Sequence, residues 1–195
     1  LTAEERSFAE KYFIADVLPV LSPQIINAHH PFPHLVNKAI YIVLQLKISD
    51  KTAYGIIPMP AMQERLIFLP GNGMRYILLE ELIYQYAERV FDNCEIHAKS
   101  IICVTRNADV NVDSLPDEDE DFRHHMKKVL RKRSRLAPVR LEHCGPIHDK
   151  LEKFLRGKLE LKKEQVFQSS APLEMSYVFP LLDKVPDRIS QAVTY

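Results

Sequence analysis

Two strand-forming runs joined by a short turn, within residues 41–57, constrain the fold of this chain more than any other feature. In Tyr41–Ile48 the apolar residues alternate with polar ones such as Gln45, which is the period of a strand with one buried face. Residues 49–51 carry a turn signal, and Thr52–Ile57 has the composition of a returning strand. The sequence therefore predicts an antiparallel hairpin of half-buried strands.

The rest of the chain alternates between strand and helix signals. Further strands are expected at Arg65–Leu69, Arg75–Leu78, Glu95–Thr105, Val139–His143 and Gln165–Ser169. A helix is expected at about Ala3–Asp16, behind a Thr2/Glu5 capping box, and a second one follows the strand Arg75–Leu78 and ends near Val90. Further helices are expected around residues 122–130, after Pro146 and, as a short helix, beyond Pro172. Antiparallel strands followed by strand–helix units predict an α+β fold. We expect a mixed, mainly antiparallel sheet packed with about four to five helices.

Composition limits the class of protein. Hydrophobic residues make up 46% of the 195 residues, enough for the core of one domain and above the range of disordered chains. Lys and Arg together number 26, as do Asp and Glu, so binding of a polyanion would need a local basic patch. Three cysteines without Cys-x-x-Cys spacing favour a reducing compartment over a disulfide framework or a zinc site. No apolar run approaches the roughly 20 residues of a membrane-spanning helix.

The sequence contains no motif for phosphate transfer from ATP. A phosphate-binding loop of the Walker type needs a lysine and a helix after its glycines, and Gly71-Asn72-Gly73 is followed by neither. The signature set of protein kinases is missing as well. We therefore assign no catalytic residue in this chain and expect the segment alone to be inactive on ATP.

A proline-broken stretch, Leu18–His34, is expected to be an ordered extended loop, and it contains three of the eight histidines. His29, His30 and His34 are close enough in sequence to suggest a metal site, but no thiolate or paired carboxylate lies beside them. We favour structural roles, such as packing on an aromatic ring or capping a loop carbonyl. A metal-dependent hydrolase is an alternative that would require a carboxylate ligand such as Asp109.

Four motifs, in this order, resemble the middle, or head, domain of the long bacterial-type polyphosphate kinase. They are Val20–Gln24, His29–Lys38, Val104–Asp109 and Leu136–Glu142, and the same pattern is fitted by Ile57–Pro60, Arg65 and Leu69–Gly71. The matches extend from about Tyr12 to Phe167 and so cover nearly the whole chain. We expect an N-terminal helix and proline-rich loop over residues 1–38, the core of the domain over 39–170, and a connector toward the catalytic domains over 171–195.

For the full-length enzyme, the resemblance implies reversible transfer of the terminal phosphate of ATP to inorganic polyphosphate, through a phosphohistidine and with Mg²⁺. The essential histidines of that family lie in C-terminal catalytic domains, so the resemblance gives His29, His30 and His34 no catalytic role. It implies that ATP and Mg²⁺ bind in the full-length enzyme and that this segment alone binds neither. Because the chain begins at Leu1 rather than Met, we expect an excised segment of a longer polypeptide.

The resemblance also implies an assembly role for this domain. The middle domain of the family is associated with dimer formation, so a homo-oligomer, a dimer through this domain, is expected. The enzyme would be cytoplasmic, with a capacity to associate with the membrane as part of the full enzyme. The alternative from a different class is a stand-alone interaction module that binds a protein partner through the proline-rich loop. The polyphosphate kinase hypothesis requires coding sequence on both sides of this segment, whereas the interaction-module hypothesis does not.

A charge switch between residues 113 and 135 is the most conspicuous electrostatic feature. Acids crowd its start, and bases that include Arg131 and Arg133 crowd its end, which suits the dipole of a helix. A solvated surface helix is the simpler interpretation, and contact between its basic end and polyphosphate is the functional one. No aromatic residues are interleaved in the basic part, so stacking on single-stranded nucleic acid is not expected.

Three more basic residues are candidates for contact with polyphosphate. Arg106 follows an apolar strand, and we favour an internal ion pair with Asp109 over the alternative of an interface anchor. Arg140 interrupts an apolar strand and can pair with Glu142 or with an acid of a neighbouring strand. Lys38 ends the proline-rich loop, where it can lie near a phosphate tunnel. The candidate polyphosphate contacts are thus Lys38, Arg106, Arg131, Arg133 and Arg140.

Overall fold

The computed structural model describes residues 1–27, 30–48, 51–71, 74–107 and 137–184. Its strands are β1 (Gln24–Ile26), β2 (Ile40–Ile48), β3 (Lys51–Pro58), β4 (Leu66–Phe68), β5 (Tyr76–Leu78), β6 (Glu95–Arg106), β7 (Pro138–Cys144) and β8 (Val166–Ser169). Its α-helices are α1 (Ala3–Tyr12), α2 (Leu79–Gln85), α3 (Ala87–Val90), α4 (Asp149–Leu159) and α5 (Val178–Leu182). The helix predicted around residues 122–130 lies outside the described residues.

Six strands form the central sheet, in the order β1-β3-β2-β6-β7-β8. Every neighbouring pair in it is antiparallel except β7 and β8, which are parallel. The strands β4 and β5 form a separate antiparallel pair that leads directly into α2. The prediction of an α+β fold with a mixed, mainly antiparallel sheet is confirmed.

Helices cover both faces of the central sheet. On one face, Leu82 of α2 shares a core with Leu44 of β2, together with residues of α1. On the other face, Leu151 of α4 shares a core with Val43 of β2. Each helix therefore buries one apolar stripe, and the alternating side chains of the strands supply the two facing surfaces.

The prediction that β2 has one exposed face is wrong. Its residues from 40 to 46 are all buried, including Gln45 at 5% exposure. The reason is tertiary: β2 lies between β3 and β6, and the sheet is sandwiched by helices. The polar residue that suggested a solvent-facing side instead points into the layer beneath α4, beside Tyr54 of β3.

The N-terminal capping box is confirmed. The Glu5 backbone N–H donates to Thr2 Oγ1 at 3.2 Å, and the Thr2 N–H donates to Glu5 Oε2 at 2.7 Å. The α-helix ends at Tyr12 rather than at Asp16, and the winding continues as a π-helical turn and then a short 3₁₀ turn that contains Pro19. Proline has no N–H to donate and its ring crowds the preceding turn, so regular α-helix cannot continue through it.

Two segments expected to serve mainly as connections form part of the packed structure. Within the expected loop Leu18–His34, Gln24–Ile26 forms β1 and pairs with β3 at the edge of the sheet. After β8, Tyr177 is buried against Leu66 and Leu78 of the β4–β5 pair. The expected division of the chain into an N-terminal part (1–38), a domain core (39–170) and a connector (171–195) stays a prediction. In the described ranges, no helix has the length and apolarity needed to cross a bilayer.

Candidate site at one end of the central sheet

The three described candidates Lys38, Arg106 and Arg140 lie at the same end of the central sheet. The Lys38 backbone N–H donates to the Val104 carbonyl at 2.8 Å, which fixes Lys38 beside the end of β6. Arg106 is the last residue of β6, and Arg140 lies opposite Thr105 in the β6–β7 register. Arg131 and Arg133 lie outside the described residues.

Arg106 belongs to the face covered by α4. Its Nε donates to the Leu35 carbonyl at 2.6 Å, and its backbone N–H donates to Asn37 Oδ1 at 2.8 Å. Burial lowers the pKa of the Arg106 guanidinium from its ordinary value, because the charged form loses hydration. Together with His34 and Lys158 it lines a cavity of about 370 Å³. Arg106 thus holds the proline-rich loop against the end of β6. The ion pair predicted with Asp109 involves a residue outside the described ranges.

Arg140 forms the predicted pair with Glu142. Its Nη2 donates to Glu142 Oε1 at 2.7 Å, and its guanidinium carbon lies 4.4 Å from the centroid of the Phe167 ring. The Arg140 side chain is 46% exposed, so the pair is solvated and contributes little to stability. The guanidinium therefore stays reachable from solvent while Phe167 of the neighbouring strand β8 restricts its orientation.

Lys38 and Glu174 line the same cavity, of about 260 Å³, and both have an unusual backbone conformation. Lys38 has φ 58° and Glu174 has φ 57°, a region that residues with a side chain rarely adopt. Such conformations cost about 1–3 kcal/mol each and persist only where the surroundings enforce them. Two of them at one cavity make it the best-supported candidate for a functional site on the described part of the chain.

Arg65 organises the wall of this cavity. Its Nε and Nη2 donate to Glu80 Oε1 at 3.0 and 2.6 Å, and its Nη1 donates to Glu174 Oε2 at 2.7 Å. The guanidinium carbon also lies 5.2 Å from the centroid of the Tyr177 ring. One side chain therefore joins the β4–β5 pair, the start of α2 and the segment after β8. The resemblance used Arg65 only as part of a motif, and no spacing rule in the sequence connects it to Glu80 or Glu174.

Cys103 lies behind the same end of the sheet, and its environment disfavours a thiolate. Burial, with the nearby carboxylates of Glu142 and Glu174, raises the pKa of Cys103 to about 11, against a smaller opposing effect of Lys38 and Arg65. Burial also raises the pKa of Cys144. Because the thiolate is the nucleophilic form, neither thiol is activated for nucleophilic chemistry at neutral pH.

The described histidines of the proline-rich loop have local partners. The His30 backbone N–H donates to Asn27 Oδ1 at 2.9 Å, and the His30 Nδ1 lies 3.2 Å from the same oxygen. His34 lies at the Arg106 cavity, whereas His29 is outside the described residues. Over the described ranges, no three His, Cys, Asp or Glu side chains are placed to hold a metal ion. The hydrolase alternative gains no support from these residues.

Comparison with known proteins finds similarity to polyphosphate kinases. A family model for the polyphosphate kinase middle domain matches residues 4–181. The polyphosphate kinases of Bacillus anthracis and Halalkalibacterium halodurans are each 34% identical to the chain, over 195 and 194 residues, and that of Pseudomonas putida is 27% identical. These matches cover 95% of this chain and 27% of each relative. The chain thus spans about a quarter of the length of the relatives it matches.

The same fold occurs in a solved structure. The crystal structure of polyphosphate kinase from Porphyromonas gingivalis superposes with a TM-score of 0.66 at 18% identity. The match covers 94% of this chain and 26% of that one. At 18% identity this similarity establishes the fold of the chain and nothing about its site residues.

Proposed function

Because the chain belongs to the polyphosphate kinase family as its middle domain, we propose that it supports an enzyme that transfers the terminal phosphate of ATP reversibly to inorganic polyphosphate. The match of the family model to residues 4–181 is the observation that carries this proposal. The reaction belongs to the whole polypeptide, since the chain spans only 27% of the curated relatives. The phosphohistidine intermediate implied by the resemblance is assigned to other domains.

ATP and Mg²⁺ are assigned to other parts of the full-length enzyme. Mg²⁺ prefers oxygen ligands from carboxylates and phosphates, and within the described residues no three potential ligands converge. The only glycine pair with loop spacing, Gly71 and Gly73, is not followed by the lysine of a phosphate-binding loop. We therefore assign no reaction step to the described residues, and Mg²⁺ binding elsewhere in the full-length enzyme stays a prediction.

Lys38 and Arg140 are proposed to contact polyphosphate. Both side chains are exposed at the same end of the sheet, and Lys38 borders the cavity that Arg65 and Glu174 shape. A polyanion with regularly spaced charges binds such cations through release of counterions, so affinity falls with salt. Arg106 is assigned to holding the loop that carries Lys38, because its Nε donates to the Leu35 carbonyl. Contact by Arg131 and Arg133 stays a prediction.

Salt-dependent binding of fluorescently labelled polyphosphate to the purified chain tests this proposal. Lys38→Ala and Arg140→Ala should each weaken binding and reduce the slope of log K against log salt by about 0.7–0.9, the value for one lost contact. Lys11→Ala is the matched control, since Lys11 is an exposed lysine of α1 outside this end of the sheet. Equal weakening by all three substitutions would mean unspecific attraction and would overturn the assignment.

Dimer formation through this domain is the second part of the proposal. Met175, Phe179 and Leu182 follow one another at helical spacing and are 53%, 72% and 60% exposed. The opposite side of the same segment packs on the β4–β5 pair through Tyr177 and Leu181. A short helix that is apolar on both sides needs a second covering surface. An uncharged apolar row is self-complementary, so a second copy of the chain satisfies it in a two-fold contact.

Sedimentation equilibrium of the chain measures this association. We expect a dimer for the wild-type chain and a monomer for Phe179→Ser/Leu182→Ser, in which two apolar side chains of the row become polar. Val36→Ser is a control for general loss of surface apolarity, because Val36 is 56% exposed in the proline-rich loop and not on this helix. A wild-type monomer, or a dimer that the double variant leaves intact, would contradict dimerisation through this row.

A cytoplasmic location is proposed on the basis of the cysteines. Cys94, Cys103 and Cys144 are all free thiols in the structure. Free thiols persist in reducing compartments, whereas secreted domains of this size usually pair them.

A further inference from the structure

A carboxylate of the chain itself lies in the cavity that Lys38 borders. The cavity of about 260 Å³ is lined by Lys38, Arg65 and Glu174, and is called the Lys38 cavity below. Glu174 Oε2 accepts a hydrogen bond from Arg65 Nη1 at 2.7 Å. Lys38 is exposed, and the side chains of Arg65 and Glu174 are 19% and 34% exposed. A dissolved anion that enters the cavity therefore reaches an Arg65 donor that Glu174 already occupies.

A buried thiol gives a second sign that these charges lie together. Burial raises the pKa of the Cys103 thiol, and the Glu142 and Glu174 carboxylates raise it further. Lys38 and Arg65 act on the same pKa in the opposite direction. Because the interaction between charges falls with their separation, both cations and the Glu174 carboxylate are close to this one sulfur atom.

Glu174 determines the net charge of the Lys38 cavity. Arg65 is also paired with the Glu80 carboxylate at 2.6 Å, and the Glu80 side chain is 2% exposed, so this pair is fixed in the protein interior. The formal charges of the cations Lys38 and Arg65 are cancelled by those of Glu80 and Glu174. Without the Glu174 carboxylate the same groups carry a net positive charge, which attracts an anion.

The Glu174 carboxylate can leave Arg65 without movement of the backbone that carries it. Arg65 Nη1 also donates to the Glu174 carbonyl at 2.6 Å, and Arg65 Nη2 donates to the Leu173 carbonyl at 2.5 Å. Leu173 is 5% exposed and belongs to the core beneath α2. The Ser176 backbone N–H donates to Glu174 Oε1 at 3.1 Å, which gives the carboxylate a second partner outside the cavity. Rotation of one side chain is therefore enough to open the Arg65 donor.

We propose that Arg65 is a further contact for polyphosphate and that the Glu174 carboxylate competes with polyphosphate for it. This inference rests on the proposed contact between Lys38 and polyphosphate. A phosphoryl oxygen of a chain held at Lys38 takes the place of Glu174 Oε2 at Arg65 Nη1, while Arg65 keeps its bonds to Glu80. Arginine suits this role, since its guanidinium remains charged and binds carboxylate and phosphate oxygens alike.

The strength of the pair between Arg65 and Glu174 determines how much polyphosphate binding is weakened. A ligand that needs the open form of a site loses affinity in proportion to the fraction of molecules in that form. Partly exposed ion pairs favour the closed form by up to about fivefold. We therefore expect the Glu174 carboxylate to reduce the affinity for polyphosphate by up to about fivefold.

Binding of fluorescently labelled polyphosphate to the wild-type chain, Glu174→Gln and Glu164→Gln measures this competition. Glutamine has the size of glutamate without its charge, so Glu174→Gln should bind about fivefold more tightly than the wild-type chain. Thermal denaturation shows whether the variant is folded. Glu164→Gln is the matched control, since Glu164 is an exposed acid that does not line the Lys38 cavity. Its affinity should change by less than about twofold, because solvent and salt screen distant surface charges.

The backbone amide signal of Ser176 separates displacement of the carboxylate from a general effect of charge. This N–H donates to Glu174 Oε1, so its NMR signal should shift in the wild-type chain when tripolyphosphate saturates the site. A gain in affinity of Glu174→Gln no larger than that of Glu164→Gln, or a Ser176 signal that does not move at saturation, would overturn the inference. Either result leaves the contact at Lys38 intact if Lys38→Ala still weakens binding. Binding that Lys38→Ala leaves unchanged would instead contradict the proposed contact at Lys38 and, with it, this inference.

Discussion

The ion pair between Arg65 and Glu80 gives the sharpest test of how this domain is held together. The Glu80 side chain is 2% exposed and the Arg65 side chain is 19% exposed, so neither charge is well hydrated. Arg65→Leu leaves the Glu80 carboxylate buried without its cation, which costs about 3–5 kcal/mol. We expect the free energy of unfolding to fall by that amount, a large share of the roughly 5–15 kcal/mol that stabilises a domain. Urea denaturation followed by far-UV circular dichroism measures the loss.

Two controls isolate the cause. Arg65→Leu/Glu80→Leu removes both charges, so we expect it to lose at least about 1 kcal/mol less than Arg65→Leu, because no buried charge is left alone. Glu174→Gln should lose at most about 1 kcal/mol, since the Glu174 side chain is 34% exposed and keeps contact with water. A loss below about 1 kcal/mol for Arg65→Leu, or a double variant that loses as much as Arg65→Leu, would refute the reasoning.

Three further substitutions test other features by denaturation. Gly55→Ala places a Cβ 2.8 Å from Phe91 Cζ, so a loss of about 1–3 kcal/mol is expected, and unchanged stability would argue against this packing. Thr2→Ala removes the cap of α1 and should cost about 1 kcal/mol, whereas Thr2→Ser should be nearly neutral; equal effects would argue against the cap. Burial raises the pKa of Cys103 from 9.0 to about 11, so the associated stability is complete below pH 9.0 and is lost as the pH rises through about 11. Cys103→Ala should abolish that part of the decline in a pH series, and a decline of the same size in the variant would contradict the assignment.

The sequence predicts the long strands because their signals are local. The hairpin of β2 and β3 follows from alternation and a turn, and β6 follows from an apolar run of strand composition. The strand Gln24–Ile26 is missed, because three residues are too few to establish a period and neighbouring prolines suggest a loop. The burial of Gln45 is missed for a different reason: the helix that covers it, Asp149–Leu159, follows far along the chain, and strand periodicity reports only one strand at a time.

The candidate site is predictable in its residues but not in its geometry. Basic side chains can be selected from the sequence, and strand pairing then brings Lys38, Arg106 and Arg140 to one end of the sheet. How Arg106 lies relative to Arg140 depends on the register shift between Thr105 and Arg106, which has no sequence signature. The role of Arg65 depends on a partner 109 residues away, Glu174, and such contacts are determined by tertiary packing alone.

We propose that this chain supports phosphate transfer from ATP to polyphosphate without performing it. The most direct measurement follows that transfer with the chain alone and with the Bacillus anthracis polyphosphate kinase in which residues 4–181 of this chain replace the matching segment. We expect no turnover by the chain alone and turnover by the folded chimera. Turnover by the chain alone that survives repeated purification, or a folded chimera without activity, would contradict it.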